Sequence, residues 1–467
     1  MKLPSTIEAC HALINQLLAT IAALEAEVEA LKRQLNQNSR NSHRPPSSEG
    51  YRKKPALPRQ KHKRGGQPGH PGNTLKMVDT PDEVVELKPE VCQACRRELA
   101  AEASDYVMVS RRQVLDIPPL TLRSTEYRSY GCTCVHCGTY DYGVYPVCVN
   151  ASIQYGSGVK AWVTLLHQGG CLSVEKIQTL FSDLFGASLN EATILQCQHT
   201  AYDKLQEEEQ YFKERLKASS VCHADESGLR VEGRNYWLHT LGNAEYTYQF
   251  VHPKRGYDAH EPHLSILHHY RGWLIHDFYS FYFRFTQAKH GICNAHVLRE
   301  LQAQEEAGKC WAGKFRKYLL CLYEKTHQGT QKLSKKEQKR ALNEYRQLLR
   351  AGFEEEPPPR LSPHSRGRPL NTKGRNLLIR LKEKQEAVLA FAWHRCVPFT
   401  NNLAERDIRV AKTKLKVAGC FRTWKGAQVY ARINGFISTL RKQGLNPLNE
   451  LRNIFKGGIP SYRLLTT

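Results

Sequence analysis

Long apolar runs are absent from the sequence. No stretch approaches the roughly 18 consecutive apolar residues that a membrane-spanning helix needs, and the mean hydropathy is −0.56. The first residues, MKLPSTIEACHALINQ, contain neither the hydrophobic segment nor the small-residue cleavage site of a secretory signal. These absences predict a soluble, cytoplasmic protein without a membrane partner.

Acidic residues are scarce relative to basic ones. The chain has 45 Asp and Glu against 68 Lys and Arg, which gives a formal net charge of +23. A basic surface gains affinity for a polyanion because binding releases counterions from the phosphates. The charge therefore favours a nucleic acid partner, with an anionic membrane as the competing interpretation.

A disulfide framework is not expected. The 15 cysteines are odd in number, and dense disulfides are typical of small secreted chains, whereas this chain has 467 residues. Reduced thiols, some of them binding metal, are the better interpretation. At about 150 residues per domain, the length predicts roughly two to four domains.

A heptad pattern opens the chain. Apolar residues recur at alternating steps of three and four from Ile7 to Leu35. Ile and Val fill most a positions and Leu most d positions, which favours a parallel two-stranded coiled coil. We predict a coiled coil over residues 1–37 that associates with a second copy, as a dimer or higher oligomer. The alternative is an amphipathic helix that packs on its own domain.

Residues 38–80 are rich in Pro, Gly, Ser and basic side chains and cannot bury a core. Between Arg40 and Lys76 there are ten Lys and Arg and a single acid, Glu49. We predict a flexible cationic arm that lies along a nucleic acid backbone, with a solvated linker as the alternative. The DNA-binding residues predicted in this arm are Arg52, Lys53, Lys54, Lys61, Lys63 and Arg64.

Two C-x2-C motifs lie in residues 81–150 and predict a zinc-binding module. Paired motifs of this kind arrange four thiolates tetrahedrally around one structural Zn²⁺. The segment RRQVLDIPPLTLRSTEYRSYGC between them alternates apolar and polar residues, which predicts a hairpin that brings the motifs together. Cys132 and His136 are alternative ligands, and unliganded buried cysteines are the alternative to zinc. The four predicted ligands are Cys92, Cys95, Cys134 and Cys137.

The rest of the chain changes from helical to strand-like and back. Residues 151–218 are predicted to be helical, and two helices broken at FGAS form either a DNA-binding helix-turn-helix or an ordinary helical hairpin. Three strand-like runs, a helical stretch and a fourth run, GWLIHDFYS, then predict a mixed sheet with helices on its faces. The predicted segments are a core over 219–306, a helical insertion with a basic loop over 307–373, a second part of the core over 374–440 and a tail over 441–467.

Three carboxylates are candidates for a metal site. Asp225 lies at the end of the first predicted strand and Asp277 at the end of the fourth. Neighbouring strands lie about 4.8 Å apart, and the ions of two-metal sites lie roughly 3.5 to 4 Å apart, so two such aspartates can hold a metal pair. Glu405 closes the site from a helix. Oxygen ligands suit Mg²⁺ or Mn²⁺, and two ions stabilise both the attacking and the leaving oxygen of phosphoryl transfer.

The helix that carries Glu405 also carries cations. Arg409, Lys412 and Lys416 follow at i+4, i+7 and i+11 and share its face. Such a face holds a DNA backbone against a carboxylate site that would otherwise repel it. Beside it lies an apolar stripe of Ala404, Ile408, Ala411 and Leu415.

Each acid also has a structural or competing interpretation. Glu405 follows Asn402 by three residues, as in a capping box with Asn402 as N-cap and Glu405 at N3. Asp277 fits a turn aspartate that closes a strand. Glu226 competes with Asp225, because neighbours on a strand point to opposite faces and only one of them can serve.

A run of segments, in this order, resembles the insertion-sequence-66 family of DDE transposases over nearly the whole chain. The segments are LNQNSRNSHRPPSSEG, KRGGQPGHPG, the two cysteine motifs, HADESGLRV, IHDFYSFY, CNAHVLREL and TNNLAERDIRVAKTKLKVAGCFRT. The resemblance implies a multidomain α/β protein. Its ribonuclease-H-like mixed sheet, with flanking helices and a helical insertion, would follow a coiled coil and a small zinc-binding β module.

The resemblance implies that the protein is the transposase of a bacterial insertion sequence. Asp225, Asp277 and Glu405 would be its catalytic triad, using two Mg²⁺ or Mn²⁺ to activate water for strand nicking before the freed 3′ hydroxyl attacks target DNA. The implied partners are the terminal inverted repeats of the element, the target DNA, further copies of the chain and accessory proteins of the same element. The implied location is the bacterial nucleoid.

The resemblance also marks Cys293 and His296, in CNAH, as support for the active site or as metal ligands. A buried cysteine beside a helix-start histidine is the alternative. Two rival functions are a zinc-containing DNA-binding regulator without catalysis and a ribonuclease-H-like metal nuclease that acts in repair.

Overall fold

The computed structural model describes residues 6–35, 75–99, 107–146, 148–327, 333–359 and 370–464. The described parts of Tyr51–Thr125 form one compact unit, and those of Met1–Gly50 and Glu126–Thr467 form another. The predicted DNA-binding residues of the basic arm, Arg52, Lys53, Lys54, Lys61, Lys63 and Arg64, lie outside the described residues.

Helix α1 spans Ile7–Leu35. The helix predicted from the heptads is therefore confirmed, whereas its pairing with a second copy stays a prediction. In the single chain its a and d side chains are largely exposed to solvent, which leaves an apolar seam along one face. The exposed seam residues are Ile7, Ile14, Leu17, Ile21, Leu24, Val28, Leu31 and Leu35.

The cysteine-rich stretch contains little regular structure. Around the first cysteine motif, Val91 and Glu98 form an isolated antiparallel bridge. Around the second motif, β1 (Gly131–Thr133) pairs antiparallel with β2 (Tyr140–Tyr142). Each motif therefore sits in a short turn whose two ends are paired.

The hairpin predicted between the two motifs is wrong. No strand forms over 107–130 in the described chain. Pro118 and Pro119 interrupt this stretch, and proline supplies no backbone N–H to a strand ladder. The observed hairpin lies later and encloses the second motif.

Helices fill the region before the sheet, and the predicted helix pair at FGAS is confirmed. Ser173 accepts a hydrogen bond from Lys176 N at the start of the first of the two, and Gly186 ends it with φ 64°, a left-handed conformation that glycine adopts without strain. Asn190 caps the second by accepting from Ala192 N. Whether the pair binds DNA stays a prediction. The helices are α2 (Ser157–Thr164, continued by a π-helical turn at Leu165–Gly169), α3 (Val174–Phe185), α4 (Glu191–Lys204) and α5 (Gln206–Lys217).

A five-stranded mixed sheet forms the centre of the larger unit, as predicted. Its strands are β3 (Val221–Val231), β4 (Arg234–Gly242), β5 (Thr247–His252), β6 (Trp273–His276) and β7 (Lys289–Ile292). The spatial order is β5-β4-β3-β6-β7. The pairs β3–β4 and β4–β5 are antiparallel, whereas β6 runs parallel to both β3 and β7. The β3–β4 hairpin turns at Glu232 and Gly233, which both have positive φ.

Two parts of this region differ from the prediction. Strand β7 was not predicted, because its four residues, KHGI, are too short to show alternation. The stretch DAHEPHLSILHHY, predicted to be helical, forms only short 3-10 turns at Tyr257–Ala259 and Leu267–His269. Pro262 lies between the two turns and prevents a continuous helix.

Helices cover both faces of the sheet. Leu274 and Ile275 are neighbours on β6 and therefore point to opposite faces, where each joins a different buried core. The helices that follow the sheet are α6 (Asn294–Glu306), α7 (Cys310–His327), α8 (Lys335–Glu355), α9 (Lys373–Glu383), α10 (Gln385–Trp393), α11 (Asn402–Ala418), α12 (Trp424–Lys442), α13 (Pro447–Lys456) and α14 (Ser461–Leu464). The predicted domain boundaries themselves stay predictions.

Candidate active site

Asp225 and Asp277 lie in the same register on neighbouring strands. His223 of β3 pairs in parallel with Ile275 of β6, an offset of 275 − 223 = 52. The two aspartates have the same offset, 277 − 225 = 52, and each lies two residues further along. Asp225 shares a face of β3 with His223, and Asp277 follows the end of β6 close enough for its charge to raise the pKa of Asp225.

The position of Asp225 within its strand differs from the prediction. Asp225 does not end its strand, because β3 continues to Val231 and pairs Asp225 with Thr240 of β4. Strand β6 ends at His276, so Asp277 is the first residue beyond it. The aspartates therefore lie where β3 loses its parallel neighbour and its edge opens on that side.

Local hydrogen bonds orient both aspartates. Asp225 Oδ1 accepts from Glu226 N at 2.9 Å, and Asp277 Oδ1 accepts from Tyr279 N at 2.8 Å. Burial raises the pKa of Asp225 well above its usual value, and the neighbouring charges of Glu226, Asp277 and Glu405 add to this effect. The site therefore concentrates negative charge that water does not fully screen, which is the condition under which a bound cation is stabilised.

Glu226, which lies close enough to Asp225 to raise its pKa, is bound by side chains from other elements. Its carboxylate accepts hydrogen bonds from Arg255 Nε at 2.9 Å and from the Tyr282 hydroxyl at 2.6 Å. Both of its oxygens are therefore engaged by side chains from elsewhere in the fold. Of the two competing acids, Asp225 is the one that lies in register with Asp277.

Asn401 fixes the start of α11 against β3. Its Oδ1 lies 2.8 Å from His223 Nδ1, and its Nδ2 donates to Ala224 O at 2.8 Å. Both partners directly precede Asp225. Its backbone N–H points to Cys293 Sγ at 3.1 Å. Asn401 therefore ties three elements together, and no pattern in the sequence marked it.

Glu405 does not act as a helix cap. The N-cap of α11 is Asn401, not Asn402, and Asn401 makes no side-chain capping bond. Glu405 lies one position beyond N3, so the predicted capping box is wrong. Its Oε1 is buried and has no hydrogen-bond partner among the described residues. A buried carboxylate oxygen without a donor is costly, and a cation is the kind of ligand that would satisfy it.

Cys293 and His296 lie beside Glu405, and their role as support for the active site or as metal ligands stays a prediction. The possible ligand atoms of the three residues all lie within 4.8 Å of one another, and no other group of three metal-ligating side chains is this tight in the described parts of the chain. His296 Nδ1 lies 3.9 Å from Glu405 Oε1. The ligand atoms of Asp225, Asp277 and Glu405 are thus more widely spaced than this group.

The protonation of Cys293 bears on its role. Burial raises the pKa of the Cys293 thiol to about 11, so the sulfur is neutral at pH 7 when no metal is bound. Cys293 is the N-cap of α6 and contacts the backbone of Asn401. These contacts give the thiol a packing role between α6 and the start of α11.

The comparison with known families decides the classification. Residues 152–429 match the family described as Transposase IS66 family, which is more than half of the 467 residues. The chain belongs to the IS66 transposase family. The matched range contains all three candidate acids as well as Cys293 and His296. Residues 2–76 match a family of unknown function, and no curated protein matches the chain.

Family membership makes this IS66 transposase an enzyme that cleaves and transfers DNA. Among the described helices, none is both long and apolar enough to cross a membrane. The ribonuclease-H-like classification is consistent with a mixed five-stranded sheet between helical layers.

Helix α11 of the transposase has the two faces that its sequence predicts. The apolar stripe residues Ala404, Ile408 and Ala411 are buried. Arg409, Lys412 and Lys416, on the face of Glu405, are exposed. The helix therefore presents a cationic surface that continues from the acid site toward its C-terminal end.

The second acid of α11 has a structural role. Asp407 forms an ion pair with Lys442 of α12 at 2.7 Å and accepts hydrogen bonds from Ser438 and Thr247. Asp407 thus anchors α11 to its neighbours. Lys414 was not singled out by the sequence and is also buried, where its ammonium donates to His167 O at 2.9 Å. Burial lowers the pKa of Lys414 to about 8.

The two cysteine motifs fold into turns of the same kind. Cys92 N donates to Arg97 O at 2.9 Å, and Arg96 N donates to Cys92 O at 2.9 Å. In the second motif, Cys134 N donates to Thr139 O and Gly138 N donates to Cys134 O, at 2.8 and 2.9 Å. The residue after each motif, Arg96 or Gly138, has positive φ.

This geometry favours thiolates in both motifs. Hydrogen bonds from the backbone of Cys95 and Ala94 lower the pKa of Cys92, and hydrogen bonds from Thr139 lower the pKa of Cys137. The four cysteines, Cys92, Cys95, Cys134 and Cys137, are not buried, and the zinc site itself stays a prediction.

Proposed function

We propose that this IS66-family transposase binds the terminal inverted repeats of its own element and catalyses DNA cleavage and strand transfer through Asp225, Asp277 and Glu405. The observation that carries the proposal is the common register of the two aspartates at the open edge of β3, with Glu405 Oε1 buried and unsatisfied nearby. The sheet order and the helices on both faces support a ribonuclease-H-like core around these acids.

The three acids fit divalent metal. They supply only oxygen donors, which suit Mg²⁺ or Mn²⁺, and their mutual repulsion is partly expressed in the raised pKa of Asp225. Two ions bound there would activate the attacking water or 3′ hydroxyl and stabilise the leaving oxygen of phosphoryl transfer. Asp225 and Asp277 would hold ions from the sheet, and Glu405 would hold one from α11.

The protein's own cations place the DNA. Arg409, Lys412 and Lys416 lie exposed on the face of α11 that begins with Glu405, so a strand that follows this face is led to the acids. The basic side chains of the arm over 38–80 would add contacts to the DNA backbone outside the active site. Together they offset the repulsion between the phosphates and the carboxylates.

The accessory modules serve assembly. One structural Zn²⁺ would be bound by Cys92, Cys95, Cys134 and Cys137, whose two turns have matching backbone hydrogen bonds and lowered pKa values at Cys92 and Cys137. The exposed seam of α1 would pair with a second copy, so that two element ends are held by one complex. Accessory proteins of the same element would complete that complex in the bacterial nucleoid.

The decisive experiment compares the natural chain with Glu405→Gln in a strand-transfer assay on the end DNA of the element, with Mg²⁺. Glutamine has nearly the same shape and lacks the charge, so joining should disappear while DNA binding and melting temperature stay unchanged. Glu386→Gln is the matched control, because Glu386 is an exposed acid in the first turn of α10. Joining that persists in Glu405→Gln would remove Glu405 from the mechanism.

The same assay separates the rival functions. A DNA-binding regulator would bind the ends and join nothing, even as the natural chain. A repair nuclease would cut arbitrary duplex as efficiently as the end sequences. Only the transposase joins end DNA to a target and depends on the three acids for doing so.

A further inference from the structure

Arg255 is fixed by a buried acid next to the candidate active site. Its Nε lies 2.9 Å from Glu226 Oε1, and its Nη2 lies 2.9 Å from the same oxygen. The other oxygen, Oε2, accepts from the Tyr282 hydroxyl at 2.6 Å. The Glu226 side chain is only 2% exposed, whereas that of Arg255 is 41% exposed.

Two aromatic rings hold the guanidinium from its faces. The Arg255 Cζ lies 4.7 Å from the centroid of the Trp237 ring and 4.3 Å from that of the Tyr279 ring. An arginine that is stacked and paired in this way has a defined orientation before any ligand arrives. Its remaining amino group, Nη1, makes no hydrogen bond to the described residues, and the side chain as a whole is partly exposed.

Arg255 contacts a neighbour of each aspartate of the site. Glu226 directly follows Asp225 on β3, and Tyr279 N donates to Asp277 Oδ1 at 2.8 Å. Arg255 is therefore linked to each aspartate through one intervening residue. A surface charge that only balanced Glu226 would need neither the two ring contacts nor this position.

We propose that Arg255 binds a phosphodiester oxygen of the DNA strand beside the bond that is cut. This inference rests on the proposed function and adds a binding residue to it. The guanidinium is the side chain best suited to phosphate oxygens, because its donors form a rigid fork and stay charged. Glu226, Trp237 and Tyr279 then act as positioning residues that aim the free edge of Arg255 at the strand.

The test combines variants of Arg255 with a scan of the DNA phosphates. End DNA is prepared as a series of duplexes, each with one neutral methylphosphonate at a successive position around the cut. For the natural chain, one position should reduce cleavage by about 10- to 100-fold, the value of a hydrogen bond between charged groups. In Arg255→Gln, cleavage of unmodified DNA should fall by a similar factor, and the methylphosphonate at that position should cause no further loss.

Controls separate binding from folding. Lys254→Gln removes the adjacent charge, which is 63% exposed and paired with Asp258, and its phosphate scan should match that of the natural chain. Arg255→Gln leaves Glu226 buried without its cation, so the double variant Glu226→Gln with Arg255→Gln provides a neutral pair if the single variant melts early. Arg255→Lys keeps the charge without the fork and should recover only part of the cleavage.

The outcomes distinguish this inference from the proposed function. If the natural chain fails to cleave end DNA with Mg²⁺ or Mn²⁺, the proposed function fails. If the natural chain cleaves and the folded Arg255 variants keep the full phosphate profile, the function stands and Arg255 only balances Glu226. The contact between Arg255 and a phosphate is supported if the methylphosphonate at one position reduces cleavage by the natural chain but causes no further loss in the Arg255 variants alone.

Discussion

Asn401 Oδ1 lies 2.8 Å from His223 Nδ1, and both side chains are buried. The Asn401 carbonyl also accepts a hydrogen bond from Glu405 N at 3.3 Å, at the start of α11. The contact between Asn401 and His223 therefore sets the position of Glu405 relative to β3. Burial lowers the pKa of His223 to about 4, so the ring is neutral at pH 7 and its Nδ1–H donates to Asn401.

The first prediction follows from this contact. Asn401→Ala should destabilise the protein by about 1 to 3 kcal/mol, because His223 Nδ1 and Ala224 O lose their partner in a buried place. The cleavage rate should fall by more than the loss of folded protein accounts for, because Glu405 moves relative to the aspartates. Urea unfolding and cleavage rates measure the two effects. Asn402→Ala, at the exposed neighbouring position, should stay within about 0.5 kcal/mol, and equal effects of both variants would contradict a positioning role for Asn401.

The second prediction concerns stability at mildly acidic pH. Burial lowers the pKa of His239 to about 4, and it acts in the same way on His167, His223 and His290. The folded pKa of each ring lies below the unfolded value of roughly 6.5, so the unfolded chain binds protons first. The stability from these neutral rings is present above about pH 6.5 and is lost as the pH falls toward 4.

The slope of unfolding free energy against pH measures this effect. Between pH 6.5 and 4, His239→Gln should reduce the slope by up to about 1.4 kcal/mol per pH unit, the value for one proton. His263→Gln, at an exposed histidine, controls for the effect of the substitution itself. An unchanged slope in His239→Gln would mean that His239 does not stay neutral in the folded state.

The sequence predicted the elements that carry the three acids better than the contacts that support them, while the catalytic role of the acids stays a prediction. Strand-like runs predicted the strands around Asp225 and before Asp277, although β3 continues past Asp225 to Val231, and Glu405 was assigned to the site by resemblance. Asn401 was missed because its partner His223 lies 178 positions away, and nothing local in TNNLAERD distinguishes Asn401 from Asn402. Long-range polar contacts of this kind leave no periodicity, whereas apolar faces do.

Two local predictions failed, one because of a tertiary contact and one because of prolines within the segment. The spacing of Asn402 and Glu405 fits a capping box, yet the helix begins with Asn401 as its N-cap because the Asn401 side chain bonds to β3. The alternating segment before the second cysteine motif fits a hairpin, yet Pro118 and Pro119 interrupt it. No local sequence pattern marked Arg255, because its partner Glu226 lies on a strand 29 positions away.

The third prediction is that an inactive variant is more stable than the natural chain. Burial and three neighbouring carboxylates raise the pKa of Asp225, so its folded pKa lies above the unfolded value. The favourable contribution of such a group is complete at low pH and is lost as the pH rises through the folded pKa. At pH 7.5 without divalent metal, Asp225→Asn should therefore raise the free energy of unfolding by about 1 kcal/mol and abolish joining.

Metal provides the control for this variant. Added Mg²⁺ should raise the melting temperature of the natural chain, because ligands that bind the folded state stabilise it. Asp225→Asn should respond less. A variant that is less stable than the natural chain at pH 7.5 would show that Asp225 is held by favourable contacts and is not strained by its neighbours.

The fourth prediction tests self-association through α1. Glutamate at two d positions, in Leu17→Glu with Leu24→Glu, should abolish association, because charge in a coiled-coil seam is desolvated without a partner. Asn15→Glu with Ala22→Glu adds the same charge at exposed positions on another face of the helix and should leave the mass unchanged. Light scattering measures the mass, and the same mass in both double variants would remove the coiled coil as the basis of assembly.

The fifth prediction concerns zinc. The natural chain should contain one Zn²⁺ per molecule by atomic emission, and Cys95→Ser or Cys137→Ser should reduce that content well below one, because a site with three thiolates binds more weakly. Cys132→Ser and His136→Ala test the alternative ligands and should leave the content unchanged; both residues are exposed, Cys132 just before the second motif and His136 inside it. If Cys132→Ser loses the metal and Cys134→Ser retains it, the zinc ligand is Cys132 and not Cys134. If no variant changes the content, the lowered pKa values of Cys92 and Cys137 reflect their turns alone.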